Sequence, residues 1–365
     1  MLDKLRDSDM AERIRIPKFI GVITSRLGRI TPQVVALICA FLAGAIVLYV
    51  TGYSPIDAYG AMAAGAFGDV FGIGQTFTQA TPIMFTALAF LFAFKCGLFN
   101  IGAEGQFLVG AFASAVVGIS FEWLPSPLHV PLALLAGVLG GAFWAFIPAL
   151  LKTKLGTHEV ITTMMLSYVA RYLTSYMVNY PFKAPGWVAQ TVPITASSEL
   201  PRILPPTQLS LAIIIALILA WATWYVLQRT PIGYELRAIG LNVAASQAAG
   251  INIQRGMILA LIISGAMAGL GGAGEILGVH RRFIDGFSPG YGWDGLAVAL
   301  VGGLHPIGVV LASILFGALR SGGMVMTRVT GVPIDIVSIL QSLVIFFVAV
   351  PSVTQYLLKW RRSRR

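Results

Sequence analysis

Charge and cysteine are both scarce in this chain. Only 11% of its 365 residues are Asp, Glu, Lys or Arg, against about 25% in an ordinary soluble domain. That scarcity excludes a disordered protein, a coiled coil and a typical soluble enzyme. Two cysteines, Cys39 and Cys96, exclude a disulfide scaffold and a Cys-rich metal module. Both fall in apolar runs and read as small buried hydrophobes. The four histidines, at 129, 158, 280 and 305, share no metal-ligand spacing. His158-Glu159 begins like a zinc metalloprotease helix, but position 162 is Thr162 and not the second His. No G-x-x-x-x-G-K-[ST] occurs, so the chain holds no P-loop. If ATP drives it, another subunit supplies the engine, and no cofactor is expected in this chain.

Apolar sequence is what the chain has in excess, at 57% hydrophobic residues. A helix needs about 20 apolar residues to cross a bilayer. The stretches 32–50, 77–97, 130–151, 160–180, 208–228, 256–277 and 334–351 qualify. Two further regions are apolar but interrupted. One, 98–119, opens with Asn100-Ile101-Gly102-Ala103-Glu104-Gly105-Gln106. The other, 293–319, breaks at Gly302-Gly303-Leu304-His305-Pro306, leaving pieces too short to cross comfortably.

Lys and Arg set the orientation. The leader 1–31 carries seven and the tail 352–365 carries five. With both termini in the cytoplasm, Lys95, Lys152, Lys154, Arg229, Arg237 and Arg255 also fall inside. Lys183, Arg202, Arg281, Arg282, Arg320 and Arg328 fall outside, and Arg171 lies within a span. Basic residues spread this way follow topology and argue against a nucleic acid polymer as partner. Region 293–319 is then a hairpin that starts and ends outside. The first apolar run follows a long basic leader and reads as a span, not a signal peptide. An interfacial helix over 10–30 is an alternative for the leader.

Small residues recur at spacing four: Gly110, Ser114 and Gly118; Gly137 and Gly141; Gly265, Gly269 and Ala273. Such rows let helix backbones approach closely in lipid. Charged residues inside the spans are few, with Glu104, Arg171, Glu275, Asp294 and Asp335 the candidates. That lowers the odds of a proton- or sodium-driven carrier, which keeps acidic relays at membrane depth. The breaks near 97–106 and 302–306 fall in the halves 77–180 and 256–351, which enter the membrane from opposite sides. This is the pattern of inverted repeats. The expected fold is an all-α polytopic integral membrane protein of about ten transmembrane or half-spanning helices in two inverted repeats. Its permease domain is 32–351, between the cytoplasmic leader and tail.

The largest cytoplasmic piece is 229–255. Pro231 and Gly233 are expected to turn the chain off the preceding span. Asn242 is a fair N-cap for a short helix over 243–249, and Gly250 is a natural stop because Gly tolerates the left-handed cap.

This loop, Gly233-Tyr234-Glu235-Leu236-Arg237-Ala238-Ile239-Gly240-Leu241-Asn242 with Ala245 and Gly250, resembles the ATPase-docking loop of bacterial ABC-importer permeases. The branch is the one serving branched-chain amino acids, simple sugars and nucleosides. Lys95-Cys96-Gly97-Leu98-Phe99-Asn100-Ile101-Gly102-Ala103-Glu104-Gly105-Gln106 is similar to the broken-helix signature of its nucleoside and sugar-like members. The segment from Thr157-His158-Glu159 to Ser167-Tyr168 is similar to the one that follows a cytoplasmic turn in the same group. The resemblance covers about 77–351.

It implies a pathway-lining subunit paired with a second permease, identical or homologous. Cytoplasmic ATPase subunits holding ATP and Mg would power it, and an extracytoplasmic solute-binding protein would feed it. Coupling contacts carried over by position are Glu235, Arg237, Gly240, Asn242, Ala245 and Gly250. Glu104 and Gln106 would shape the broken-helix turn. The candidate substrate pathway comprises Asn100, Glu104, Gln106, Trp144 and Tyr168. Phe143, Trp144, Tyr168 and Tyr172 are candidates for stacking on a base, with core packing the competing role. A nearly charge-free interior suits a small neutral solute, with membrane lipid around the bundle. An ion-coupled secondary carrier with inverted repeats is the alternative.

Overall fold

The computed structural model describes residues 35–349. The leader 1–31, the interfacial helix weighed over 10–30 and the tail 352–365 lie outside them. Thirteen α-helices account for most of the described residues. Among these residues there is no β-sheet, only isolated bridges pairing Gln190 with Ile284 and Arg202 with Ser210. In order come α1 (Val35–Val50), α2 (Pro55–Phe67), α3 (Val70–Lys95) and α4 (Ala103–Ser120). Then follow α5 (Ser126–Leu155), α6 (Glu159–Asn179), α7 (Ala212–Arg229), α8 (Pro231–Leu241) and α9 (Val243–Ala248). The last are α10 (Ile253–Glu275, prolonged by a π turn over Ile276–His280), α11 (Tyr291–Val301), α12 (Pro306–Thr330) and α13 (Asp335–Ala349). Helices α3, α4, α5, α7, α10 and α12 are long and apolar enough to cross a membrane, and α1 and α13 are shorter apolar helices. The 11 residues of α11 reach about 16 Å, half the hydrocarbon thickness.

The three small-residue rows meet one another. A Cβ on Gly110 would overlap the backbone of Gly269, one on Gly137 would press on Ala273, and one on Gly141 would overlap the carbonyl of Gly265. Hence α4, α5 and α10 pack backbone to backbone, which only residues without side chains permit. The reversed order of these contacts makes α5 antiparallel to α10. Helix α3 is apolar all round and buried through most of its length, as befits the centre of the bundle. Its threonines satisfy their hydroxyls internally: Thr78 donates to Gly74 O at 2.8 Å and Thr81 to Phe77 O at 2.7 Å.

The inverted repeat is present. Helix α10 packs on α4 and α5 as α3 packs on α11 and α12, and α3 packs on α10 across the pseudo-axis. Similarly, α6 lies on α4 and α5 as α13 lies on α11 and α12. The repeats are therefore α3–α6 and α10–α13. The partner of the break at 96–102 is the segment 281–290 rather than 302–306, as the sequence pattern suggested. Region 302–305 is an ordinary turn into α12. That helix runs for 25 residues to Thr330, a full span and not the short piece expected over 306–319. Arg320 consequently lies inside the span and not outside it. Gly and Pro punctuation is the same at a turn and at a re-entrant break, so spacing alone could not separate them.

Two smaller corrections concern local chemistry. Pro231 does not turn the chain away: it occupies the first turn of α8, capped by Thr230, whose hydroxyl accepts from Gly233 N at 3.2 Å. Proline is well suited there because its missing N–H is not needed. Cys39 is only partly buried, whereas Cys96 is buried.

Candidate functional site

The first break is closed by a side-chain amide pair. Asn100 Nδ2 donates to Gln106 Oε1 at 2.8 Å, and Gln106 Nε2 donates back to Asn100 Oδ1 at 3.1 Å. Asn100 Nδ2 also donates to Ser264 Oγ at 2.8 Å, and Ser264 Oγ donates to Ala89 O at 2.6 Å. All three side chains are buried. The pair thus satisfies itself while tying the break to α3 and α10.

The break lets α4 begin inside the membrane. Segment 281–290 does the same for α11, and the two N-termini meet. A Cβ on Gly292 would collide with the backbone of Glu104. The Glu104 carboxylate accepts from Gly292 N through Oε2 at 2.6 Å and from Ser288 Oγ through Oε1 at 2.6 Å. A carboxylate on the first N–H groups of a helix meets the positive end of its dipole. Thr86 Oγ1 donates to Tyr291 O at 2.8 Å, fixing the same corner to α3. Below it, Arg320 pairs with Asp294 at 2.5 Å and lies 5.1 Å from the centre of the Tyr291 ring.

Above this junction is a cavity of about 340 Å³, walled by Glu104, Tyr168, Arg171, Asp285, Ser288 and Trp293 among others. The re-entrant wall is held from outside by backbone pairing. Thr191 N donates to Phe283 O at 2.9 Å, and Asp285 N to Ala189 O at 2.9 Å. Of the pathway candidates, Glu104 and Tyr168 line the cavity, whereas Asn100, Gln106 and Trp144 do not. Trp144 is buried, and its indole N–H donates to Leu166 O at 3.1 Å, fastening α5 to α6. Phe143 and Tyr172 are largely exposed on the chain's surface. Sequence reasoning missed Asp285, Ser288 and Trp293 as site residues. The only signal was the Gly286, Pro289 and Gly290 punctuation, which also fits an external loop.

A second candidate surface is formed by α8 and α9. Leu236 and Ile239 are buried and anchor α8. Gly240 presses on the backbone at Lys95 and Gly97. Asn242 caps α9 through Oδ1, accepting from Ala245 N at 3.0 Å. Gly250 follows with φ +82°, the left-handed stop expected of it. Glu235, Asn242, Ala245 and Gly250 are exposed, and Arg237 is half-buried with Nε donating to Gly233 O at 3.2 Å. Lys152 and Glu159 pair at 2.8 Å across the turn from α5 to α6. The α5 end, the α3 end and the start of α10 lie on the same face as α8.

Antiparallel repeats in which the N-termini of α4 and α11 meet beside a cavity define a multi-pass membrane transport protein. Residues 72–349 match the family described as the branched-chain amino acid transport system/permease component, and the chain belongs to it. Its members are transport subunits, not enzymes. The chain is 40% identical to the guanosine ABC transporter permease protein NupP of Bacillus subtilis, over 90% of this chain and 95% of that one. It is 36% identical to the nucleoside ABC transporter permease protein NupB of Lactococcus lactis, over 92% and 95%. It is 35% identical to the glucose ABC transporter permease protein TsgB13 of Haloferax volcanii, over 86% and 85%. No solved structure matches it.

Proposed function

We propose that the chain is the permease of an ATP-driven importer that carries a neutral nucleoside, or a related sugar-like solute, through the cavity between its repeats. The observation that carries this is the Glu104 cap on α11. In carriers with broken helices, an open half-helix N-terminus commonly receives an anionic part of the solute. Here an internal carboxylate already fills that position. What remains beside it is a cavity with polar groups and aromatic faces, suited to an uncharged solute with hydrogen-bonding edges. The similarity to nucleoside and sugar permeases supports the same class and argues against the ion-coupled carrier.

The exposed α8–α9 surface is the docking site for a cytoplasmic ATPase subunit, with Glu235, Arg237, Asn242 and Ala245 as contacts. ATP and Mg belong to that subunit. Both termini of the chain are cytoplasmic, a second permease completes the pathway, and an extracytoplasmic solute-binding protein delivers the solute to the opposite face. Nucleotide binding closes the ATPases, moves α8–α9 and biases the repeats toward one of two states. It does so only through its differential affinity for them.

Gly240 is a poor place to test this, because any side chain there strikes the end of α3. Ala245→Arg and Arg237→Glu are cleaner. Both variants are expected to insert in the membrane and to lose co-purification of the ATPase. Normal co-purification and uptake in both would count against the docking role.

A further inference from the structure

Arg171 is the one charged residue in the middle of α6, twelve residues or about 18 Å beyond its first residue, Glu159. Among the described residues Arg171 has no ion-pair partner, yet it lines the cavity together with Asp285. Asp285 is fixed by the same helix. Its Oδ2 accepts from Ser175 Oγ at 2.7 Å and from Asn179 Nδ2 at 3.2 Å. Ser175 and Asn179 lie one and two turns beyond Arg171 on one face, about 6 and 12 Å along the axis. Asp285 Oδ1 accepts no hydrogen bond among the described residues, so it is available to a ligand. The wall therefore offers a forked donor and an acceptor lining the same cavity. Tyr168 and Trp293 supply ring faces in the same cavity.

We propose that Arg171 and Asp285 read the base of the solute and select 6-oxopurine nucleosides, guanosine above all. This rests on the reading of the cavity as a nucleoside site and deepens it. A guanidinium matches the O6 and N7 acceptors of guanine in a bidentate manner. A carboxylate accepts from the N1–H and N2–H donors on the adjoining Watson–Crick edge of the same base. Adenine reverses both relations: it turns its N6 amino group toward the guanidinium and its N1 lone pair toward the carboxylate.

The test is uptake of radiolabelled guanosine, inosine, adenosine and uridine by the complete transporter in vesicles, with the solute-binding protein saturated by each nucleoside. Wild type should favour guanosine and inosine. Arg171→Gln should lower the guanosine-to-adenosine ratio of kcat/KM about tenfold, the worth of one charge-assisted hydrogen bond. Arg171→Lys should fail to restore that ratio, because an ammonium lacks the fork. Asp285→Asn, close in shape and least able to disturb folding, should lower guanosine uptake more than inosine uptake, since inosine lacks the 2-amino group. If wild type carries nucleosides but every variant keeps its ratios, the base-reading pair is wrong and the nucleoside reading stands. If wild type carries a sugar and no nucleoside, both fall. Equal loss for all four nucleosides in Arg171→Gln, with loss of the second permease on gel filtration, would make Arg171 an interface residue and overturn the proposal.

Discussion

The two breaks that let α4 and α11 start inside the membrane are built in opposite ways. The first, 96–102, is closed mainly by nearby sequence: Asn100 and Gln106 satisfy each other, six residues apart, with one further bond from Asn100 to Ser264 on α10. The second, 281–290, satisfies little of itself. It leans on the external segment around Ala189 and Thr191 and on Glu104 from the other repeat. A self-contained break resists movement, because opening it exposes buried amides. A break held by groups from elsewhere moves when those groups move. On this contrast the first break is expected to belong to the rigid frame and the second to follow any movement of the groups that hold it.

Substitutions that sharpen this contrast differ in size. Gly269→Leu should have the largest effect, since it drives a side chain into the backbone of α5 and severs the frame under both breaks. Overpacking of this kind costs more than about 3 kcal/mol, and detergent gel filtration should show little folded monomer. Asn100→Ala leaves the Gln106 amide without its partner, at about 1–3 kcal/mol. A lower midpoint of thermal unfolding, with the substrate preference of the surviving transporter unchanged, is the expected result.

Glu104→Gln keeps the shape but replaces one of the two acceptor oxygens facing Gly292 N and Ser288 Oγ with an amide nitrogen, a loss of about 1 kcal/mol of stability. Uptake should fall much more than the unfolding midpoint. Equal changes in both would place Glu104 in the frame and remove the contrast. Ser288→Ala should repeat that pattern more weakly, read as uptake against unfolding midpoint. Trp144→Phe should do least, losing the single bond to Leu166 O, about 1 kcal/mol, with selectivity of uptake intact.

Much of the fold was legible before the structure. The runs at 77–97, 130–151, 208–228 and 256–277 fall on helices long and apolar enough to cross, whereas the run at 160–180, expected to be a span, forms α6, which is not among them. The rows at Gly110, Gly137, Gly141, Gly265 and Gly269 announced close helix packing that does occur. Asn242 and Gly250 announced the cap and stop of α9, since capping depends on residues within one turn. The site was less legible. Of the pathway candidates, Glu104 and Tyr168 line the cavity, while Trp144 lies outside it and fastens α5 to α6. An aromatic ring serves packing and stacking alike, and composition cannot separate the two.

Sequence by itself determined the helical membrane class, the small-residue seams and the capped surface helix, because each is written in neighbouring residues. Tertiary structure alone decided that 281–290 and not 302–306 mirrors the first break, and that Glu104 closes on Gly292. It alone set Arg171 and Asp285 on one wall. Those relations join residues more than a hundred positions apart, and only packing of antiparallel repeats can bring such groups within hydrogen-bond reach.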